Sequence, residues 1–207
     1  VTDLVRAARL QSKGTKLTFP IATSAYWQII SNKRSRISEL KQLSDKMIAI
    51  TRYSATDYLA TLAIDSVHPK YDVYRVQIND VNIRLKMLLN NEMDAVLLSE
   101  PQATRARLEG HVKLMDSRDK NVRLGVFAFR TEALKEPRRK QQLDLFIKAY
   151  NMAVDSINKN GVQHYKNLII KNCGVDARTV DALPKLRYQH AGSPRKHDRN
   201  IANSIKN

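Results

Sequence analysis

Between residues 46 and 115, short apolar runs of strand length alternate with segments of helical periodicity, and this alternation constrains the chain more than any other feature. Residues 46–52 (KMIAITR) carry apolar side chains at both parities, as a strand buried on two faces requires. Ser54 then opens a helix: Ser54-Ala55-Thr56-Asp57 fits a capping box, and Leu59, Leu62 and Ala63 form an apolar stripe behind it. Residues 71–78 (YDVYRVQI) predict a second strand. Asn79 or Asp80 caps a second helix whose Val81, Leu85 and Leu88 fall at i, i+4 and i+7. Residues 94–98 (DAVLL) predict a third strand. Ser99-Glu100-Pro101-Gln102 starts a third helix, with proline in the first turn, where its missing N–H costs nothing. A fourth strand follows at 112–115. Strands and helices alternating at this spacing predict βαβ units, an α/β class and a mainly parallel sheet.

The flanks read differently. Residues 17–31 (LTFPIATSAYWQIIS) are rich in β-branched and aromatic types and predict one or two extended segments around Pro20. A short helix is predicted over 38–43. Residues 122–130 (VRLGVFAFR) read as a strand in which Gly125 implies a bend or a close backbone approach. The longest helix, about 138–159, lines up Leu143, Phe146, Ile147, Tyr150, Val154 and Ile157 and ends at Asn160-Gly161. Two shorter helices are expected near 162–171 and from Asp176, then a polar, basic extended arm over 184–200. The chain enters on Val1-Thr2-Asp3-Leu4 as if partway through a domain, and its expected reading is a partial protein, incomplete at both ends.

The net charge of +16 is unevenly placed. Residues 1–45 hold eight Lys/Arg against three Asp/Glu, residues 46–118 ten against nine, and residues 119–207 eighteen against eight. The nearly neutral middle between basic flanks indicates two bodies with different surfaces. The basic residues are scattered and no run interleaves them with aromatics, so a solvated basic surface is preferred and nucleic acid is not expected as a partner. Cys173 is alone among apolar neighbours and reads as a small buried hydrophobe. His68, His111, His164, His190 and His197 are not spaced for metal ligation, and no glycine-rich phosphate loop, GxSxG or HExxH occurs. No metal, cofactor or catalytic residue is expected. Asp94 and Glu100 make a weak acid–base pair, because Asp94 opens a strand and Glu100 lies beyond its far end.

In a parallel α/β sheet, ligands bind beyond the carboxyl ends of the strands, at the N-termini of the following helices. Those positions are Tyr53-Ser54-Ala55-Thr56, Asn79-Asp80 and Ser99-Glu100. Ser54 and Thr56 offer hydroxyls at the positive end of a helix, a setting for an anionic or strongly polar ligand. For any one of these residues, helix capping alone is the plainer role. Tyr26 and Trp27 would add an apolar wall, though an aromatic pair beside Ile29 and Ile30 more often belongs to the core.

The run ISELKQLSDKMIAITRYSATDYLATLAI resembles a stretch of periplasmic substrate-binding proteins of ABC transporters, those for nitrate, sulfonates, taurine and thiamine-precursor pyrimidines. The segments NDVNIRLKMLLNNEMDAVLLSEPQATR, VRLGVFAFR before a long helix, and LPKLRYQHAGSPRKHDRNIANSI extend the resemblance over nearly the whole chain. It implies a type II periplasmic-binding-protein-like fold of two lobes joined by a hinge, with mainly parallel sheets flanked by helices. Residues 1–45 would be part of lobe 1, 46–118 lobe 2, and 119–207 a return to lobe 1. The implied ligand contacts are Tyr53, Ser54, Ala55 and Thr56, then Ser99 and Glu100, with Thr2, Asp3, Thr23 and Ser24 from lobe 1. Tyr53 stands where the family has glycine, and Asp45-Lys46 where it has Gly-Lys. The opening strand–helix units of lobe 1 are absent and the final helix is short.

The function so implied is that of a solute-binding receptor, not an enzyme. It would capture a small polar or anionic ligand in an inter-lobe cleft by hinge closure and work as a monomer with a membrane permease. Its location would be periplasmic or at the cell envelope, with a signal peptide removed or a lipid anchor upstream. The alternatives are an enzyme of cofactor biosynthesis on the same fold, with Glu100 or His111 as acid–base, and an effector-sensing domain of a transcription regulator.

Overall fold

A computed structural model describes residues 1–205, which form two compact units. Unit 1 comprises Val1–Ala25, Arg123–His164 and Pro184–Asn207, and unit 2 comprises Tyr26–Val122 and Tyr165–Leu183. The chain therefore passes between units after Ala25, Val122, His164 and Leu183, where the sequence division placed passages only after residues 45 and 118. The reason is pairing rather than composition: the extended segment after Tyr26 and the helical segment after Tyr165 make their contacts with unit 2.

Unit 2 is built on a five-stranded sheet ordered β5-β4-β6-β3-β7. Its strands are β3 (Trp27–Ser31), β4 (Met47–Ile50), β5 (Tyr74–Gln77), β6 (Ala95–Ser99) and β7 (Val112–Asp116). β4 pairs in parallel with β5 and β6, as the alternating pattern predicted. β3 lies antiparallel between β6 and β7, so one strand opposes four. Helices α2 (Ala55–Val67), α3 (Val81–Leu89) and α4 (Gln102–Leu108) follow β4, β5 and β6. Leu85 and Leu88 of α3 meet Ile30, Ala49, Val96, Leu98, Ala103 and Ala106 in one core cluster, with Val81 packed at its margin. The stripe at i, i+4 and i+7 is thus the buried face of α3. Asp80 caps it by accepting from the Asn82 and Ile83 N–H groups. Helices α6 (Lys166–Cys173) and α7 (Ala177–Asp181) complete the unit. Gln102 reaches them by donating to the Cys173 carbonyl at 3.1 Å.

In unit 1, β1 (Thr2–Asp3), β2 (Leu17–Ala22) and β8 (Gly125–Arg130) form a three-stranded sheet ordered β1-β8-β2. Both of its pairings are antiparallel. Strand β8 takes the middle place, and Phe127 and Phe129 on it pack on Phe146 and Tyr150 of the long helix α5 (Pro137–Asn160). Helix α1 (Leu4–Ser12) is capped by Asp3, whose Oδ1 accepts from the Arg6 N–H at 3.0 Å. The arm after Pro184 stays extended only as far as Arg195, and α8 (Lys196–Ser204) then forms. The buried Asp198 carboxylate explains that helix: it takes both the Arg195 side chain and the Arg123 N–H, so the basic segment has a fixed anion to fold around. No helix among the described residues is long and apolar enough to cross a membrane.

Candidate functional site

The β4–α2 turn shows what its residues do locally. The Ser54 hydroxyl donates to the Thr51 carbonyl at 2.7 Å and accepts from the Thr56 N–H at 3.1 Å. Thr56 Oγ1 accepts from the Thr51 N–H at 2.8 Å. Both side chains are buried, so their hydroxyls knit the strand end to the helix start, and Ala55 is buried beside them. Asp57 accepts from the Tyr53 N–H at 2.9 Å, one residue earlier than the capping box requires. The cause is Tyr53 itself, which sits at φ 58°, the left-handed conformation that a glycine adopts without cost. Its ring stays exposed, and this turn therefore presents an aromatic side chain outward.

Pairing registers bring the other strand ends to the same edge. Trp27 stands opposite Ser99, and Gln28 opposite Asp116, so the start of β3 meets the ends of β6 and β7. Six side chains there close into a ring. Tyr26 donates its hydroxyl to Glu100 Oε1 at 3.1 Å, and Arg107 Nη2 donates to the same oxygen at 3.1 Å. The Thr104 N–H donates to Glu100 Oε2 at 2.9 Å. Arg107 Nη1 donates to Gln28 Oε1. Gln28 Nε2 in turn donates to Asp116 Oδ2 at 3.1 Å. Asp116 holds Arg118 through Nε at 3.0 Å and Nη2 at 2.7 Å. The Arg118 guanidinium then lies 3.9 Å from the centre of the Tyr26 ring, which closes the circuit.

The charges of the ring explain its titration. Burial, with the Glu100 carboxylate alongside, pushes the Tyr26 phenol far above the ordinary tyrosine range. Burial would raise the Asp116 carboxyl too, but hydrogen bonds from Arg118 outweigh it and hold the group below the usual carboxylate range. Two carboxylates and two guanidiniums leave the ring neutral as a whole. Next to it, the buried Arg84 donates to the Leu97 and Ile78 carbonyls at 2.8 and 2.6 Å and to Thr51 Oγ1 at 3.0 Å, tying the ends of β4, β5 and β6 together.

Of the residues expected at a site, Tyr53–Thr56, Ser99 and Glu100 share this one edge of unit 2. Thr2, Asp3, Thr23 and Ser24 belong to unit 1. There Asp3 and Thr23 flank Gly125: Asp3 pairs with it across β1–β8, and the Thr23 N–H donates to its carbonyl at 2.9 Å. A Cβ at Gly125 would fall 2.2 Å from Thr23 Oγ1, which is the close approach that the glycine implied. A separate groove of about 630 Å³ in unit 1, lined by Leu4, Phe19, Pro194 and Arg199 among others, includes none of the expected residues. Residue-by-residue reading missed Gln28, Arg107, Asp116 and Arg118. Their signal is visible only in pairing, because it takes the β3 register to bring positions 28, 107 and 116 together.

Two other expectations meet their surroundings here. Asp94 accepts from the Met47 N–H and the Ser35 hydroxyl at the opposite edge of the sheet from Glu100, so the two carboxylates do not work as a pair. Burial pushes the Cys173 thiol up, away from a reactive thiolate. Among the described residues no group of His, Cys, Asp and Glu is arranged to hold a metal.

No family model and no curated protein matches the chain. Solved structures do. The periplasmic aliphatic sulphonate-binding protein SsuA of Escherichia coli superposes with a TM-score of 0.72 at 15% identity, over 97% of this chain and 67% of that one. The alkanesulfonate-binding protein SsuA of Xanthomonas axonopodis pv. citri, bound to MOPS, gives 0.70 at 17% identity, over 90% and 66%. The periplasmic nitrate-binding protein NrtA of Synechocystis gives 0.68 at 12%, over 93% and 56%. The chain thus has the α/β fold of the type II periplasmic binding proteins. It spans about two thirds of the length of the sulfonate-binding proteins and 56% of the nitrate-binding one.

Proposed function

We propose that this chain is a solute-binding receptor of an ABC-type importer, taking a small polar or anionic ligand and passing it to a membrane permease. The observation that carries the reading is the polar edge of unit 2. All five strands end or begin there, with Tyr53 exposed and a neutral hydrogen-bonded ring beside it, in the fold of proteins whose names state sulfonate and nitrate binding. That edge is where an α/β sheet binds its ligands. On this reading Tyr53, Ser54, Ala55, Thr56, Ser99 and Glu100 form the unit 2 part of the site. Thr2, Asp3, Thr23 and Ser24 are the ligand contacts proposed within unit 1. Ser54 and Thr56 act by fixing the turn that presents Tyr53. The protein works as a monomer in the periplasm or at the cell envelope.

An enzymatic reading fits less well. Glu100 already accepts from Tyr26, Arg107 and Thr104. His111 accepts from the Lys33 N–H just before β7, five residues and so roughly 16 Å at ~3.3 Å per residue from Asp116 of the ring. Burial, with Lys33 nearby, lowers the His111 pKa, which suits a neutral structural acceptor.

The test is a thermal-shift screen of the full-length protein with sulfonates, nitrate, pyrimidines and amino acids. A receptor shows a Tm that rises with concentration for at least one class, because ligand bound only by the folded state stabilises it. A Tm unmoved by every class at millimolar concentration overturns the reading.

A further inference from the structure

The ring leaves one charged donor edge open. Asp116 occupies the side of the Arg118 guanidinium formed by Nε and Nη2, and the Tyr26 ring covers one face. The end formed by Nη1 and the second N–H of Nη2 meets no hydrogen-bond acceptor among the described residues. The side chain is 46% exposed. Arg107, by contrast, spends its donors on Gln28, Glu100 and Thr104. Arg52 is on the same edge, exposed, with no hydrogen bond or ion pair to its side chain among the described residues, so a ligand would have to immobilise it first. Arg118 has already lost that freedom: a bidentate carboxylate and a stacked aromatic ring fix its plane before any ligand arrives.

We propose that the open end of Arg118 is a ligand-binding group of unit 2, receiving a terminal oxyanion, carboxylate or sulfonate, through two parallel N–H···O hydrogen bonds. The inference rests on the receptor reading and goes beyond it, since that reading leaves the ligand polar or anionic and gives Arg118 no part. A guanidinium presents two parallel donors at the spacing of two oxygens on one carbon or sulfur. Asp116 and Tyr26 are then positioning residues: they orient the fork without touching the ligand. The neutral ring favours a single negative group met by a fixed donor pair over a multiply charged ion held by net positive charge.

The experiment is calorimetric titration of the full-length protein with matched pairs, ethanesulfonate against dimethyl sulfone and acetate against acetamide. Wild type is compared with Arg118→Gln, Arg118→Lys and, as a control for edge charge, Arg52→Gln. The expected result is a preference for the anion in at least one pair. Arg118→Gln lowers anion affinity by roughly tenfold to a hundredfold, the scale of a charge-assisted pair of hydrogen bonds. Arg118→Lys loses an intermediate amount, and Arg52→Gln changes affinity less than about threefold. The readout is the ratio of anion to uncharged affinity, which a loosened fold does not change selectively. If Arg118→Gln is unstable, the Arg118→Lys ratio decides. An unchanged ratio in the Arg118 variants, or an equal loss in Arg52→Gln, overturns the assignment. Binding of uncharged compounds only overturns it while leaving the receptor reading intact. No binding of any compound here or in the thermal screen overturns both.

Discussion

The Tyr26 hydroxyl donates to Glu100 at 3.1 Å, across 74 positions of sequence, and joins the first residue of unit 2 to the end of its central strand β6. The bond needs a neutral phenol. Because burial and Glu100 raise the Tyr26 pKa in the folded state, the unfolded chain releases this proton first. Stability from Tyr26 is therefore full below the unfolded value of about 10 and is lost as pH rises above it. Urea denaturation of wild type at pH 8 to 12 should show this contribution constant up to about pH 10 and falling above it. Tyr26→Phe should fall less steeply and lose about 1 kcal/mol at neutral pH.

Asp116 behaves in the opposite sense. Its folded pKa is depressed, so its contribution is present above the unfolded value of about 4 and disappears as pH falls through the folded one. Asp116→Asn should cost about 2 kcal/mol at pH 7, since the buried site loses a charge-assisted partner for Arg118. It should also flatten the acid limb of a stability profile between pH 5 and 2. A variant whose acid limb matches wild type would show that Asp116 does not carry this dependence.

Gly125→Ala is expected to destabilise by about 2–3 kcal/mol, because the added methyl meets Thr23 Oγ1 at 2.2 Å and the Ala25 methyl at 3.0 Å. Thr23→Ala in the same chain removes the first clash and should recover part of the loss. A double-mutant cycle by chemical denaturation reads the coupling, and additive losses would contradict it.

Tyr53→Gly tests a residue in which fold and function pull apart. Glycine relieves the left-handed strain but gives the unfolded chain more freedom, so the expected stability change runs from nil to about 1 kcal/mol of gain. Ligand affinity should nevertheless fall, because the exposed ring is what the turn presents. Equal affinity with unchanged stability would take Tyr53 out of the site.

Local chemistry made much of this fold readable. The strands and helices from Met47 to Asp116 announce themselves through apolar parity, the stripe Val81–Leu85–Leu88 and the caps Ser54 and Asp80, all features within one turn or strand. The edge on which the candidate site stands followed from the same pattern. What stayed hidden depends on partners distant in sequence. Trp27–Ser31 reads as a strand but carries no mark that it runs antiparallel between β6 and β7. Lys166–Cys173 reads as a helix with nothing to say that Gln102 will hold it. The ring was hidden for the same reason: Gln28, Arg107, Asp116 and Arg118 are ordinary residues singly, and only the register of β3 makes them neighbours. Helix α8 was obscured by a basic stretch whose single buried carboxylate, Asp198, organises it.

The interleaving of the two units bears on how the chain is made. Unit 2 holds Tyr26–Val122 and also Tyr165–Leu183, with Arg123–His164 of unit 1, the whole of α5 included, synthesised between them. A ribosome releases residue 122 well before residue 173, so Gln102 must wait for the Cys173 carbonyl while a basic helix of the other unit emerges. Unit 1 waits longer still, since Asp198, which accepts from the Arg123 N–H, is made 75 residues after it. Neither unit can finish as a vectorial product, because each needs a segment made only after a stretch of the other unit has been synthesised.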